Sequence, residues 1–356
     1  MEKVINLRIP HVGEKIFRSV DTNGLIQCLS VSSSWKELAE NVLLKRWNRK
    51  IFEACKSGKT EIVKLLLEHE EIEDMNAKDK SGATAFIWAC LNGHIDVVKL
   101  LIDHSDSKNI DLNAKSIYGS TAFIWASKHG RKDVLQLLMD HSTYKNIQMN
   151  ARDQDGMTAF MNACKDGRKD VVELLLNHSG SKHIELNTRD NDGCTGFTLA
   201  CQNGEKDVVK LFLSFLDHSG NKNLEFNAKD YVGRTALMSA CENGETDIVK
   251  LLLNHSSTKE DYLNAQNKCG ETAFMIACQK GHKDVVKLFL DHSESNIQVN
   301  TRDIFGDNAF IMANKRGHKA IVKLLQLHSS CRRIIDSSEI RSKPNWRLKW
   351  FEESSG

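Results

Sequence analysis

Eight histidines stand close to one repeat apart along this chain, at His69, His104, His141, His178, His218, His255, His292 and His328. Regularly spaced imidazoles could ligate zinc or move protons. Ligands must converge to about 2 Å from a zinc ion, whereas adjacent packed helices lie roughly 8–10 Å apart. One imidazole per helical unit therefore cannot close a site. Bonding to the carbonyls at a helix C-terminus, favourable when the ring is cationic, suits this spacing better. Six cysteines (Cys55, Cys90, Cys164, Cys201, Cys241 and Cys278) also recur at one place in the pattern. Disulfide-linked Cα atoms are usually within about 7 Å, so thiols a helix spacing apart read as core residues in a reducing compartment. No Cys-x-x-Cys, Gly-x-x-x-x-Gly-Lys-Ser/Thr, Gly-x-Ser-x-Gly or His-Glu-x-x-His occurs, and these are the patterns that build metal, phosphate and nucleophile sites. No catalytic residue, metal or cofactor is expected, and the chain reads as a non-enzyme.

The elements that carry these rows repeat. A Thr-Ala pair or its equivalent begins at Thr84, Thr121, Thr158, Thr195, Thr235, Thr272 and Asn308, giving intervals of 37, 37, 37, 40, 37 and 36 residues. A glycine follows the first helix of each copy at Gly58, Gly93, Gly130, Gly167, Gly204, Gly244, Gly281 and Gly317, adding one truncated copy at the front. Self-similarity of this length is the signature of a stacked-repeat architecture. In the copy Asn76–Ser105, Asp79-Lys80-Ser81-Gly82 has turn chemistry and Thr84 is placed to cap a helix. Phe86, Ala89 and Cys90 form an apolar stripe, Gly93 ends that helix, and a second helix is predicted from Ile95 to Asp103. Helices this short fall below the roughly 12–15 residues needed for marginal independent stability. Each pair must therefore stack on its neighbours.

A turn followed by two short antiparallel helices, with Gly-x-Thr-Ala-Phe, Ala-Cys-x-x-Gly-His and Val-Val-Lys-Leu-Leu, resembles the ankyrin repeat over residues 51–330. The implied fold class is all-α, an ankyrin-repeat solenoid of about eight repeats. Thr84-Ala85-Phe86-Ile87 stands where that family has Thr-Pro-Leu-His, so the family's proline and histidine must be replaced by apolar contact. The period exceeds the usual ~33 residues by about four. The surplus, in stretches such as 106–110 and 143–147, is expected to lengthen the fingers at one edge. Ser214-Phe215-Leu216 is expected to add nearly a turn to the second helix of the 40-residue copy.

Residues 1–50 do not repeat. Ile9-Pro10, Ile16-Phe17, Val20-Asp21, Leu25, Val31 and Trp35 suggest short helices near 13–20, 25–31 and 34–44, broken by Asp21-Thr22-Asn23-Gly24. The pattern resembles the F-box, in which a Trp follows the Asp by fourteen residues, as Trp35 follows Asp21. The resemblance implies that Pro10, Ile16, Phe17, Leu25, Val31 and Trp35 belong to the face or core that docks the adaptor subunit and cullin of a ubiquitin ligase. The other reading is a helical cap over the first repeat, since repeat arrays need covered ends. Residues 331–356 carry Arg332, Arg333, Arg341, Lys343, Arg347 and Lys349 with Trp346 and Trp350, and read as a C-terminal cap or tail.

Forty-nine Lys and Arg against 47 Asp and Glu leave a net charge of +2, which gives no reason to expect nucleic acid or an anionic membrane. No run approaches the roughly 18 apolar residues of a membrane span, and Met1–Val12 lacks the apolar core of a signal peptide. A cytoplasmic, or also nuclear, location is expected. Asn177-His178-Ser179 and Asn254-His255-Ser256 match the glycosylation pattern but should be silent without secretion.

Specificity should sit where copies differ. The pairs before the turn glycine run Lys80-Ser81, Ile117-Tyr118, Gln154-Asp155, Asn191-Asp192, Tyr231-Val232, Lys268-Cys269 and Ile304-Phe305. One first-helix place runs Trp88, Trp125, Asn162, Leu199, Ser239, Ile276 and Met312. In ankyrin arrays such rows resemble finger tips and the inner, partner-binding face. Trp88, Tyr118, Trp125, Tyr231, Ile276 and Phe305 are the candidates for holding a protein substrate, aromatic groups being enriched among binding hot spots. Packing between copies is the competing role for Trp88 and Trp125.

Overall fold

The computed structural model describes residues 17–47, 50–68, 74–182, 184–219, 224–255, 260–292 and 297–327, and among them the regular elements are helices without strands. Pro10, Ile16, His69, His328 and the tail 331–356 lie outside the described residues. The chain divides into two compact units, one of Met1–Ala163 with Asp170–Glu185, the other of Cys164–Lys169 with Leu186–Gly356.

In the first unit, α1 (Thr22–Cys28) and α2 (Ser33–Trp47) precede the truncated copy α3 (Ile51–Lys56) and α4 (Thr60–Glu68). The next copies follow as α5 (Ala85–Asn92) with α6 (Ile95–Asp103), and α7 (Ala122–Lys128) with α8 (Lys132–Lys145). The helices α9 (Ala159–Lys165) and α10 (Lys169–Lys182) carry the division between units. The second unit continues with α11 (Gly196–Gln202), α12 (Lys206–Ser219), α13 (Ala236–Asn243), α14 (Thr246–Asn254) and the single turn α15 (Glu260–Leu263). It ends with α16 (Ala273–Lys280), α17 (Lys283–Asp291), α18 (Ala309–Lys315) and α19 (Lys319–Leu327).

The local code works as its residue types require. The hydroxyl of Thr84 accepts the N–H of Ile87 at 3.3 Å, and Asn308 caps Ile311 in the same way at 3.0 Å. With proline absent, this cap and the burial of Phe86 and Ile87, each 1% exposed, hold the first helical turn. Burying such a side chain is worth about 1.5–3 kcal/mol. In the second unit Phe197 packs on Phe212 and Phe226, and Phe226 on Tyr262, with ring centroids 5.0–5.2 Å apart.

Six of the fingers are tight turns, each held by one side chain. Asp79 Oδ1 accepts the N–H groups of Ser81 at 2.8 Å and Ala83 at 3.0 Å, and Asp153, Asp190, Asp230, Asn267 and Asp303 repeat this pattern. Successive fingers are joined by backbone bonds. Ile117 N–H donates to Ser81 O and Gln154 N–H to Tyr118 O in the first unit. Tyr231, Lys268 and Ile304 donate to Asp192, Val232 and Cys269 in the second. Lys78 Nζ reaches the Lys115 carbonyl at 2.9 Å, and Lys229 Nζ the Gln266 carbonyl at 3.1 Å.

A second tie uses asparagine. Asn76 donates to Asn109 O at 2.7 Å and accepts from Asp111 N–H at 2.7 Å. Asn113 does the same with Asn146 O and Gln148 N–H, both at 2.8 Å. The carbonyls of Asn109 and Asn146 are presented by a left-handed backbone at φ 49°.

Two sequence expectations need correction. The surplus residues do not lengthen the fingers. They extend the second helix to 14 residues in α8, α10 and α12, against nine in α6, α14, α17 and α19. In the copy with α6 they form the turn that ends at Asn109. Ser214-Phe215-Leu216 lie within α12, as expected for the copy with the 40-residue interval. Finally, Asp21-Thr22-Asn23-Gly24 is a helix start. Asp21 Oδ1 accepts the Gly24 N–H at 2.9 Å, so α1 begins at Thr22 and ends at Cys28, before Val31.

Candidate functional site

In the first unit, the inner-helix row presents two half-buried indoles whose N–H groups are tied down. Trp88 Nε1 donates to Asp79 Oδ2 at 3.0 Å, and Trp125 Nε1 to Ser116 Oγ at 3.4 Å. With both indole N–H groups occupied, only the ring faces can meet a partner. Lys56 Nζ lies 4.1 Å from the Trp88 ring centroid, a cation–π distance. Tyr118 meets Trp125 edge-on at 6.3 Å while remaining 54% exposed, and Ile117 beside it is 53% exposed. Further along the same row Asn162 is buried and donates to Asp153 Oδ2 at 3.0 Å.

In the second unit two of the finger tips are apolar and open. Tyr231, Val232, Ile304 and Phe305 are 58%, 51%, 65% and 77% exposed. The Tyr231 ring also covers the turn of the preceding finger, since a Cβ at Gly193 would lie 2.8 Å from its Cδ1. Ile276 is only 4% exposed and forms the floor of a cleft of about 280 Å³. The tips of Val232, Lys268 and Cys269 stand on one side of it, and Glu242, Gln279 and Lys280 line it too. Polar side chains knit the wall together. Arg234 bonds Asp230 Oδ2 at 2.7 Å and Glu242 Oε2 at 2.6 Å, while Lys280 bonds Glu242 Oε1 at 2.9 Å. Glu271 accepts from Asn267 at 2.8 Å and Gln279 at 3.2 Å. Burial pushes the Glu242 carboxyl up, but the donors of Lys280 and Arg234 outweigh it and hold the group below its ordinary value.

This wall was not read from the sequence, although a signal exists. The residue after the turn glycine is Ala83, Ser120, Met157 and Cys194 in four copies but Arg234, Glu271 and Asp307 in the last three. Each of these three pairs with a side chain eight residues on, at Glu242, Gln279 and Lys315. Also missed was the residue after the second glycine. His94, His282 and His318 each reach back to a carbonyl of the preceding copy, at Lys56, Glu242 and Gln279. Each ring then fills the space where a Cβ would sit on Gly58, Gly244 or Gly281.

Four histidines of the row bond their own helix ends. His104, His141, His178 and His292 each bond the carbonyl four residues earlier through Nδ1, at 2.8–2.9 Å. Among the described residues no group of three or more His, Cys, Asp or Glu comes together as a metal site would require. Burial pushes the Cys55 thiol up to about 12, and raises those of Cys90, Cys164, Cys201 and Cys241 as well. Such thiols resist becoming the reactive thiolate. Cys269 alone among the described cysteines is exposed.

In the front segment, Phe17 and Leu25 are buried at 1% and 0% exposure, and Trp35 packs edge-on to Phe17 at 5.6 Å. The Trp35 Nε1 is enclosed without a hydrogen-bond partner, while Val31 is 55% exposed. The segment therefore divides into a small core and an outward residue. No described helix is long and apolar enough to cross a membrane.

A family model described as ankyrin repeats matches the chain at residues 51–149, 107–190, 145–225, 181–262 and 258–333. No curated protein sequence matches it. Among solved structures, the ankyrin-repeat domain of Bcl-3, described as a unique member of the IkappaB protein family, is similar in fold. The identity is 22%, the match covers 69% of this chain and all of that one, and the TM-score is 0.55. Family-model coverage from residue 51 to 333, carried by the capped helix pairs and tied fingers described above, establishes that the chain belongs to the ankyrin-repeat family.

Proposed function

We propose that this chain is a non-enzymatic substrate adaptor of a cullin–RING ubiquitin ligase, working in the cytoplasm or also in the nucleus. Residues 1–50 dock the small adaptor subunit, and residues 51–330 hold a protein substrate. Ankyrin repeats are protein-binding scaffolds, and the observation that carries the substrate-holding role is the contrast within each copy. The frame is buried and hydrogen-bonded, whereas Tyr118, Tyr231 and Phe305 at the tips are more than half exposed. Catalysis then occurs elsewhere in the complex, and this chain supplies proximity.

The docking role is supported by the arrangement of Phe17, Leu25 and Trp35 as a small core with Val31 exposed beside it. Nine unbridged thiols among the described residues suit a reducing compartment. Affinity capture of the adaptor subunit and cullin by the full chain tests the reading, with Val31→Asp as the disabling variant. Retention lost in the variant supports it. No retention by the unaltered chain overturns the ligase role and leaves a scaffold. That second reading is favoured by the packing of α2 against α4, which is what a cap over the first repeat would do.

A further inference from the structure

The cleft over Ile276 has an imbalance of charge. Every carboxylate oxygen of Glu242 and Glu271 already accepts a bond, from Arg234, Lys280, Asn267 and Gln279. The donors are not exhausted. Lys268 is exposed at the rim and its ammonium contacts no acceptor among the described residues, while Lys280 spends one of its N–H groups on Glu242 and remains 42% exposed. Three cations (Arg234, Lys268 and Lys280) line the cleft against two carboxylates. Ile276 below and Val232, 51% exposed, at the rim supply apolar surface.

We infer that this cleft receives an acidic segment of a partner protein, with a side-chain carboxylate on Lys268 and Lys280 and a neighbouring apolar side chain over Ile276 and Val232. A basic segment would have to share both carboxylates with the donors already bonded to them and would meet the Lys268 ammonium, which has no acceptor among the described residues. An uncharged segment would leave Lys268 without an acceptor. The inference rests on the protein-binding reading above and specifies the chemistry of the partner.

Cys269 supplies a reporter, because it is exposed and lines the same cleft. The full chain is alkylated with iodoacetamide, and the rate at Cys269 is followed by peptide mass spectrometry. Three probes, all amidated at the C-terminus, are compared: acetyl-Glu-Phe-Asp-Leu-Glu, its amide counterpart acetyl-Gln-Phe-Asn-Leu-Gln, and the basic acetyl-Lys-Phe-Lys-Leu-Lys. At about three times its Kd a ligand leaves about a quarter of the sites free, so the acidic peptide should slow alkylation about fourfold. The effect should weaken as salt is raised. Lys268→Glu should abolish protection while leaving the far-UV spectrum intact, since that side chain has no partner among the described residues. Equal protection by the amide peptide, stronger protection by the basic one, or full protection in Lys268→Glu overturns the inference. Its failure is separable from failure of the adaptor role. If captured proteins are still lost in Tyr231→Asp, the face binds protein and only the acidic chemistry is wrong.

Discussion

The asparagine ties allow a sharp energetic test. Asn113→Ala removes one bond donated to Asn146 O and one accepted from Gln148 N–H, both 2.8 Å long. A hydrogen bond contributes about 0.5–1.5 kcal/mol net, so two give about 1–3 kcal/mol. Both partners are reachable by solvent, and water recovers part of the loss, which places the expected cost at about 1–2 kcal/mol. With a urea m-value of about 2 kcal/mol/M, the unfolding midpoint by far-UV circular dichroism should fall by about 0.5–1 M. No measurable cost at Asn113 would show that these bonds do not hold copies together.

Gly244→Ala forces a Cβ to 2.5 Å from His282 Nδ1 at a backbone φ of 77°. It should cost about 1–2 kcal/mol from the backbone alone, with a further loss in thermal unfolding that His282→Ala relieves in the double variant. Glu242 titrates below its ordinary value, so its contribution to stability is complete above the unfolded carboxyl pKa of about 4.3 and disappears as pH falls through the lower folded value. Glu242→Gln should accordingly destabilise the chain at neutral pH and match it at strongly acidic pH, as read from unfolding midpoints across that range; an equal deficit at both extremes contradicts the linkage. Native alkylation should modify Cys269 faster than Cys55, Cys90, Cys164, Cys201, Cys241 or Cys278, and Cys269→Ser should remove one rapidly reacting thiol.

The helix pairs were legible because their signals are local and recur. Thr84, Gly93 and the Val97-Val98 pair act within a few residues, and repetition averages out the ambiguity of any one copy. The second helix Ile95–Asp103 fell at its expected bounds. Where the reading failed, the cause was long-range or context-dependent. Nothing near Asn146 announces that α8 should run on to Lys145, because that helix end is fixed by Asn113 of the previous copy. Asp21-Thr22-Asn23-Gly24 has turn composition, yet one Asp can cap a helix as readily as it can close a turn. In the candidate site, the exposed tips were found because variation against a fixed frame is visible in sequence. Ile276 was named for that variation, but its place at the bottom of a cleft depends on Val232 and Lys268 from flanking turns. The Arg234–Glu242–Lys280 wall joins copies 38 residues apart, which composition alone does not disclose.

The ties between copies also bear on how the chain is made. Asn76 meets Asp111, Lys78 meets Lys115, and His282 meets Glu242, so each bond spans one repeat of sequence and no more. A copy emerging from the ribosome at about 5–20 residues per second is followed by its successor within about 2–7 s. Helix pairs with such short-range contacts fold in far less than that time. Each copy can therefore dock on the one before it while the next is still being translated, and no apolar stripe has to wait for a distant segment of the chain.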